Sequence, residues 1–365
     1  FVYKILLFSS ILLSLPNCSK IEAKTLRKNS STELRGGARN KFQIDKVARR
    51  SPLLKDFLRK KSMSVFENEH AKVFGFLLAS GLAFFAFHAI KSNEILEIPI
   101  FSFILWQVLP VVSFSMNAFS VLQPGRLDSG KDYKKLPPQF FSPAGWTFTI
   151  WAPIFLGEFV YVISQAMPFE SVKSSNLLSE ISPYFTLSMV YQSMWCFAFR
   201  PWAVFGKGNF SWLPALLLIF TGLSLSGAHG LLSLSEGADF LRLVAYVPLT
   251  LHFGWITAAS LVNLNGFFSI LFNKNMFPKF VVSMASILLA CVVGISVSFV
   301  RNEPIYSLVL SWALAGVASK GGWSKLVGKV DNRALGFQYY ASMIGSCVLS
   351  LAAALIFAKN NFEPI

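Results

Sequence analysis

The chain has 365 residues, of which 54% are hydrophobic, 15% aromatic and 14% charged, and its mean hydropathy is +0.54. A soluble domain carries about 25% charged residues, so the composition excludes an ordinary soluble enzyme. The net charge of +15 does not read as nucleic-acid binding, because thirteen Lys/Arg against three acids (Glu33, Asp45, Asp56) fall between Lys24 and Lys61; the remaining bases decorate loops beside apolar segments, where they are expected.

In chain order, Lys4 precedes an apolar run from Ile5 to Leu15. That run is too short to span a bilayer and has the length of a signal-peptide core. Residues 24–50 are basic, contain Ser and Thr and hold few acids, which is transit-peptide composition. The two together resemble the bipartite presequences of plastid proteins in algae with complex plastids. Residues 1–71 therefore read as a targeting presequence and basic tail. Ser51 and Pro52 form an N-cap and N1 pair. They open a short helix with Leu53, Leu54, Phe57 and Leu58 on one face, either lying on an anionic membrane surface or closing the presequence.

Nine apolar segments follow, at 72–90, 98–118, 146–166, 182–200, 210–233, 240–263, 278–300, 304–319 and 336–358. Most approach the length of about 20 residues that crosses a hydrocarbon core about 30 Å thick. The shortest, 304–319, begins at Pro304. The expected fold class is an all-α integral membrane protein, a polytopic helix bundle of about nine transmembrane helices. Loop charge supports the count. The connections 119–145, 201–209, 264–279 and 320–335 carry four, one, two and four Lys/Arg, whereas the alternate sides carry one each: Lys91, Lys173, Arg242 near a helix start, Arg301 and Lys359. Such alternation is what the positive-inside rule requires. With the tail on the basic side, a plastid membrane satisfies the rule, and the endomembrane system is the alternative.

Four helices carry stripes of aromatic and polar residues at helical spacing. They are Trp106, Pro110, Ser113 and Asn117; Trp151, Phe155, Glu158, Tyr161 and Gln165; Tyr184, Ser188, Gln192, Trp195 and Phe199; and Pro248, His252, Trp255, Ala259 and Asn263. Polar groups facing lipid cost several kcal/mol, so the stripes face one another. They line an aromatic cavity for a flat, greasy ligand with a few polar anchors, or they are packing aromatics and interhelical hydrogen bonds. Glu158 reads as a proton carrier, a ligand anchor, or an acid satisfied by His252 or Gln192. His252 reads as an axial haem ligand or a hydrogen-bonded core histidine. His88 and His229 sit near helix ends and read as interfacial, and Trp146 as part of an aromatic belt. Pro153 is expected to bend its helix. Cys18, Cys196, Cys291 and Cys347 form no CxxC and read as small hydrophobes. The absence of a nucleophile elbow, HExxH, P-loop and GxGxxG weighs against hydrolase, metalloprotease and ATP-driven readings, and the expectation is that the chain is not an enzyme.

The stretch Phe141-Ser142-Pro143-Ala144-Gly145-Trp146-Thr147-Phe148-Thr149-Ile150-Trp151, the pattern Gln192, Trp195 and Phe199, the set Trp255, Ala259 and Asn263, and Trp312-Ala313-Leu314-Ala315-Gly316 together resemble the TspO/MBR family of tryptophan-rich sensory proteins, in its longer, multi-helix members. The resemblance implies a five-helix core over 98–266, preceded by an extra helix at 72–97 and followed by additional helices in 267–365. It further implies a pocket for a porphyrin or sterol between the five helices, and often a homodimer. Trp146, Trp151, Trp195, Trp255 and Asn263 carry over as motif positions; Glu158 and His252 join them from the stripes alone. The expected function is a membrane-embedded binding protein or transporter-like sensor for a tetrapyrrole, porphyrin or haem, or a similar hydrophobic ligand. Its partners are the lipid bilayer and that ligand. The alternatives are a proton-coupled secondary transporter using Glu158 and a structural subunit of a membrane complex.

Overall fold

The computed structural model describes residue 75 and residues 99–128, 136–167, 176–206, 208–235, 240–272, 274–319 and 324–362. The presequence reading, His88 and nearly all of the expected segment 72–90 lie outside these residues. Among the described residues there are eight α-helices longer than one turn and no strand. They are α1 (Pro99–Leu122), α2 (Trp151–Gln165), α3 (Asn176–Ala198), α4 (Leu213–Leu234), α5 (Phe240–Leu271), α6 (Met276–Val300), α7 (Pro304–Ala318) and α8 (Asn332–Phe362). A single turn at Pro201–Val204 and 3-10 turns at Gly145–Ile150 and Ser324–Leu326 complete the order. Among the described residues five stretches are long and apolar enough to cross a membrane: Gly145–Gln165, Leu213–Leu234, Leu243–Leu271, Met276–Val300 and Asn332–Asn361. This is an integral, multi-pass membrane protein.

The helix boundaries follow local chemistry. Asn275 caps α6 by accepting the Phe277 N–H at 3.2 Å, and Glu303 caps α7 by accepting the Ile305 N–H at 2.6 Å. Pro304 stands at the first position of α7, where its missing N–H costs nothing. Pro153, expected to bend its helix, stands near the start of α2. The chain winds as a 3-10 helix until Ile150 and becomes α-helical at Trp151, which leaves Pro153 in the first turn, where no donor is required.

The first five helices close a ring. Helix α1 packs on α3, α3 on α4, α4 on α5, α5 on α2, and α2 returns to α1. Helices α6, α7 and α8 pack on one another and meet the ring through α5, which touches both α6 and α7. Helix α7 is the most enclosed of the three, with ten of its fifteen residues buried. Its C-terminal end holds the start of α2. Ala144 donates its N–H to the Gly316 carbonyl at 2.9 Å, and Trp312 Nε1 donates to the Thr147 carbonyl at 3.0 Å.

Polar groups face inward and large apolar ones outward, as lipid requires. Ser307 donates to Gly294 O at 3.1 Å and meets Ser298 Oγ at 2.6 Å. Ser311 meets Ser346 at 2.9 Å and Ser350 at 2.8 Å, and Asn265 donates to Ser286 at 2.7 Å. Conversely, Leu288, Leu289 and Val292 on α6 and Tyr340, Ile344, Leu351 and Leu355 on α8 are exposed. The described cysteines, Cys196, Cys291 and Cys347, are free.

Candidate functional site

The stripes read from the sequence turn inward on the ring helices. Trp106, Ser113 and Asn117 on α1, Glu158, Tyr161 and Gln165 on α2, Ser188, Gln192 and Trp195 on α3, and His252 and Trp255 on α5 are all buried. Helices α2 and α5 run antiparallel, and a glycine lets them touch. A Cβ on Gly157 would lie 2.6 Å from Pro248 Cβ, so only Gly permits this approach. One residue further along, Glu158 Oε1 meets His252 Nδ1 at 2.5 Å, and both side chains are wholly buried.

An aromatic box surrounds this pair. Trp151 meets the His252 ring edge-on at 5.6 Å and Trp255 at 6.2 Å, and Trp255 meets Phe148 at 5.4 Å. Across the ring, Tyr161 packs edge-on against Phe185 of α3 at 5.1 Å. Edge-on contacts of this kind suit the ring quadrupoles and fix the rings in place.

Buried polar atoms on the same helices are unsatisfied. Glu158 Oε2, His252 Nε2, Trp255 Nε1, Tyr161 OH, Gln192 Oε1 and both side-chain polar atoms of Gln165 are buried with no hydrogen-bond partner. Each such orphan costs about 1–3 kcal/mol, so seven atoms on three helices create a strong demand for partners. They offer both kinds of group: the indole N–H, the phenol and the Gln165 amide donate, whereas the free carboxylate oxygen and Gln192 Oε1 accept.

Of the seven residues expected to bind ligand, the fold brings Trp151, Glu158, His252 and Trp255 together. Trp195 and Asn263 form a separate pair, with Trp195 Nε1 donating to Asn263 Oδ1 at 3.2 Å. Trp195 also stacks on Phe199 at 5.3 Å and lies under the Arg126 guanidinium at 5.6 Å. Beside this pair, Phe199, Asn263, Gln139 and Gly266 line a cavity of about 50 Å³, enough for a water molecule or two. Trp146 stands apart. It is exposed and packs edge-on against Trp312 of α7 at 4.6 Å.

Three features escaped sequence reasoning. Phe148 closes the box over Trp255, and Gly157 sets the helix approach; neither differs in sequence from an ordinary lipid-facing or packing residue. The third is the setting of His229, which is fully buried against the protein near the end of α4. Arg301, in the α6–α7 turn, donates to His229 Nδ1 at 2.9 Å and to Ser226 O at 3.1 Å, and its guanidinium lies 5.6 Å from the Phe253 ring centre. This contact ties the turn to α4 and α5.

The sequence pattern of the family described as TSPO-like protein matches residues 103–356. The chain belongs to that family. The match runs from α1 into α8, so this TSPO-like chain carries the family pattern over the ring and over α6–α8 alike. No curated protein and no solved structure matches it.

Proposed function

We propose that the ring of α1–α5 is a binding site for a flat hydrophobic ligand with polar edge groups, of the tetrapyrrole class, and that the protein acts as a membrane binding protein or sensor for it. The observation that carries this reading is that seven buried polar atoms without hydrogen-bond partners lie on α2, α3 and α5, with Glu158 and His252 beside the rings of Trp151 and Trp255. Trp151 and Trp255 supply the flat apolar faces. His252 Nε2 and Glu158 Oε2 supply the polar anchors, which a porphyrin's propionates, ring nitrogens or central metal would engage. Trp195 and Asn263 hold each other and support the ring beside the site.

Titrating the purified protein with protoporphyrin tests the reading through intrinsic tryptophan fluorescence. Saturable quenching is expected, weakened at least tenfold in apparent Kd by Trp151→Phe with Trp255→Phe and by Glu158→Gln. Quenching no stronger than for an unrelated membrane protein, or untouched by these substitutions, overturns it.

One observation favours a second reading. An acid and a base in direct contact inside a membrane, with His252 Nε2 unpartnered, are the parts of a proton relay. A proton-coupled secondary transporter would show pH-gradient-driven uptake in proteoliposomes that Glu158→Gln abolishes. The location we propose is a plastid membrane, supported by the signal-like and transit-like composition of residues 1–50 and by the alternating loop charge. A fluorescent fusion of the full chain, imaged against plastid and endoplasmic reticulum markers, decides between that and the endomembrane system.

A further inference from the structure

A second concave feature lies away from the ring site, at the end of the helices where the basic loops gather. Met276, Phe277 and Phe280 at the start of α6, Val330, Arg333, Ala334 and Phe337 around the start of α8, and Phe140 line a cleft of about 420 Å³. That volume lies within the range of about 300–1,000 Å³ typical of small-molecule sites. The walls are rings: Phe140 meets Phe280 edge-on at 5.4 Å, and Phe280 meets Phe337 at 6.0 Å. The cleft opens outward, because Phe277 and Phe337 are 74% and 61% exposed.

The rim is cationic. Arg333 is part of the lining, and Lys329 and Lys274 stand exposed on the neighbouring turns. The acid at this rim, Asp331, is engaged by the backbone, accepting the Arg333 N–H at 2.9 Å. Among the described residues the Arg333 guanidinium has no ion pair. Beside Phe280, Lys279 is 2% exposed with no hydrogen-bond partner for its Nζ. Its helical face continues to Ser283, which donates to Gln338 at 2.9 Å, and Gln338 in turn donates to the Phe140 carbonyl at 3.1 Å. A polar network thus backs the cleft, and two cations beside it lack partners.

We propose that this cleft holds one acyl chain of an anionic phospholipid from the leaflet on the basic side, with the headgroup phosphate against Arg333 and Lys329. An apolar aromatic trough meets a chain. A cationic rim at the headgroup level meets a phosphate and discriminates against a zwitterionic lipid, whose choline repels the same cations. Both halves of one amphiphile are therefore matched within a single cleft, and a soluble anion would leave the trough empty.

Native mass spectrometry of the delipidated full-length protein, titrated with phosphatidylglycerol or phosphatidylcholine, tests this. One phosphatidylglycerol is expected to bind at least fivefold more tightly than phosphatidylcholine. Arg333→Gln with Lys329→Gln brings the two lipids level, and Ala334→Trp, which fills the trough, removes the tight site. A photoactivatable phosphatidylglycerol bound to the unaltered protein labels residues 276–280 and 330–337. Equal affinity for the two lipids in the unaltered protein, or label spread evenly over the exposed faces of α6 and α8, overturns the proposal.

Discussion

The Glu158–His252 contact makes a quantitative claim that a double-mutant cycle can test. Both side chains are wholly buried and 2.5 Å apart. Removing one partner of a buried pair strands the other and costs about 3–5 kcal/mol, whereas replacing both with apolar groups of similar volume is often neutral. His252→Leu and Glu158→Leu should therefore each destabilise by about 3 kcal/mol or more. The double substitution should cost less than either, giving an interaction energy of several kcal/mol. The assay is reversible unfolding in mixed micelles, followed by near-ultraviolet circular dichroism. If the two single effects simply add to within about 0.5 kcal/mol, the additivity expected of independent sites, then the groups do not depend on each other and the anchor role falls with them.

Three further outcomes follow from the packing. Gly157→Ala sets a methyl 2.6 Å from Pro248 Cβ; such overpacking costs about 1–3 kcal/mol, and the Glu158–His252 interaction energy measured in that background should shrink as α2 leaves α5. Ser311→Ala should cost only about 0.6 kcal/mol in a micelle-based unfolding assay, the mean for interhelical hydrogen bonds in membranes, although Ser311 touches both Ser346 and Ser350; a loss beyond 2 kcal/mol contradicts the idea that these serines chiefly allow close approach. Burial raises the Glu303 carboxyl above its ordinary value, opposed by hydrogen bonds from Tyr246 and the Ile305 N–H. The folded chain thus holds that proton more tightly than the unfolded one, and its contribution to stability declines as pH rises through the folded value. Glu303→Gln, which keeps the cap, should raise Tm at pH 8, and the gain should vanish by about pH 4, where the carboxyl is protonated in both states.

Much of the bundle was legible because lipid imposes one rule on every span. The apolar segments from 98 onward each mark one helix of α1–α8, and the polar stripes mark the faces that close the ring. The boundaries drifted where helices outrun their apolar stretch. Helix α3 begins at Asn176, ahead of the expected 182, because Ser179 and Glu180 break the apolar signal without breaking the helix. Helix α8 likewise starts at Asn332.

The site was legible only to the level of faces. Glu158 and His252 met as one of the alternatives expected for Glu158. Trp195 and Asn263, 68 positions apart, could be placed on inward faces but not recognised as each other's partner, since a stripe names a face and not a neighbour. Trp146 separated from Trp151 for a geometric reason. The segment Gly145–Ile150 winds as a 3-10 helix, whose tighter turn carries Trp146 round onto α7, and nothing in Gly145-Trp146-Thr147-Phe148 announces that winding.

The bonds that hold the start of α2 also set an order of events during synthesis. Trp312 stands 165 residues after Thr147, and Gln338 stands 198 residues after Phe140. At a translation rate of about 5–20 residues per second, the stretch from Phe140 to Thr147 waits roughly 10–40 s for those partners. The start of α2 is thus fixed only once α7 and α8 are present, and a chain ending after α5 keeps the contacts among its five ring helices but lacks these two bonds.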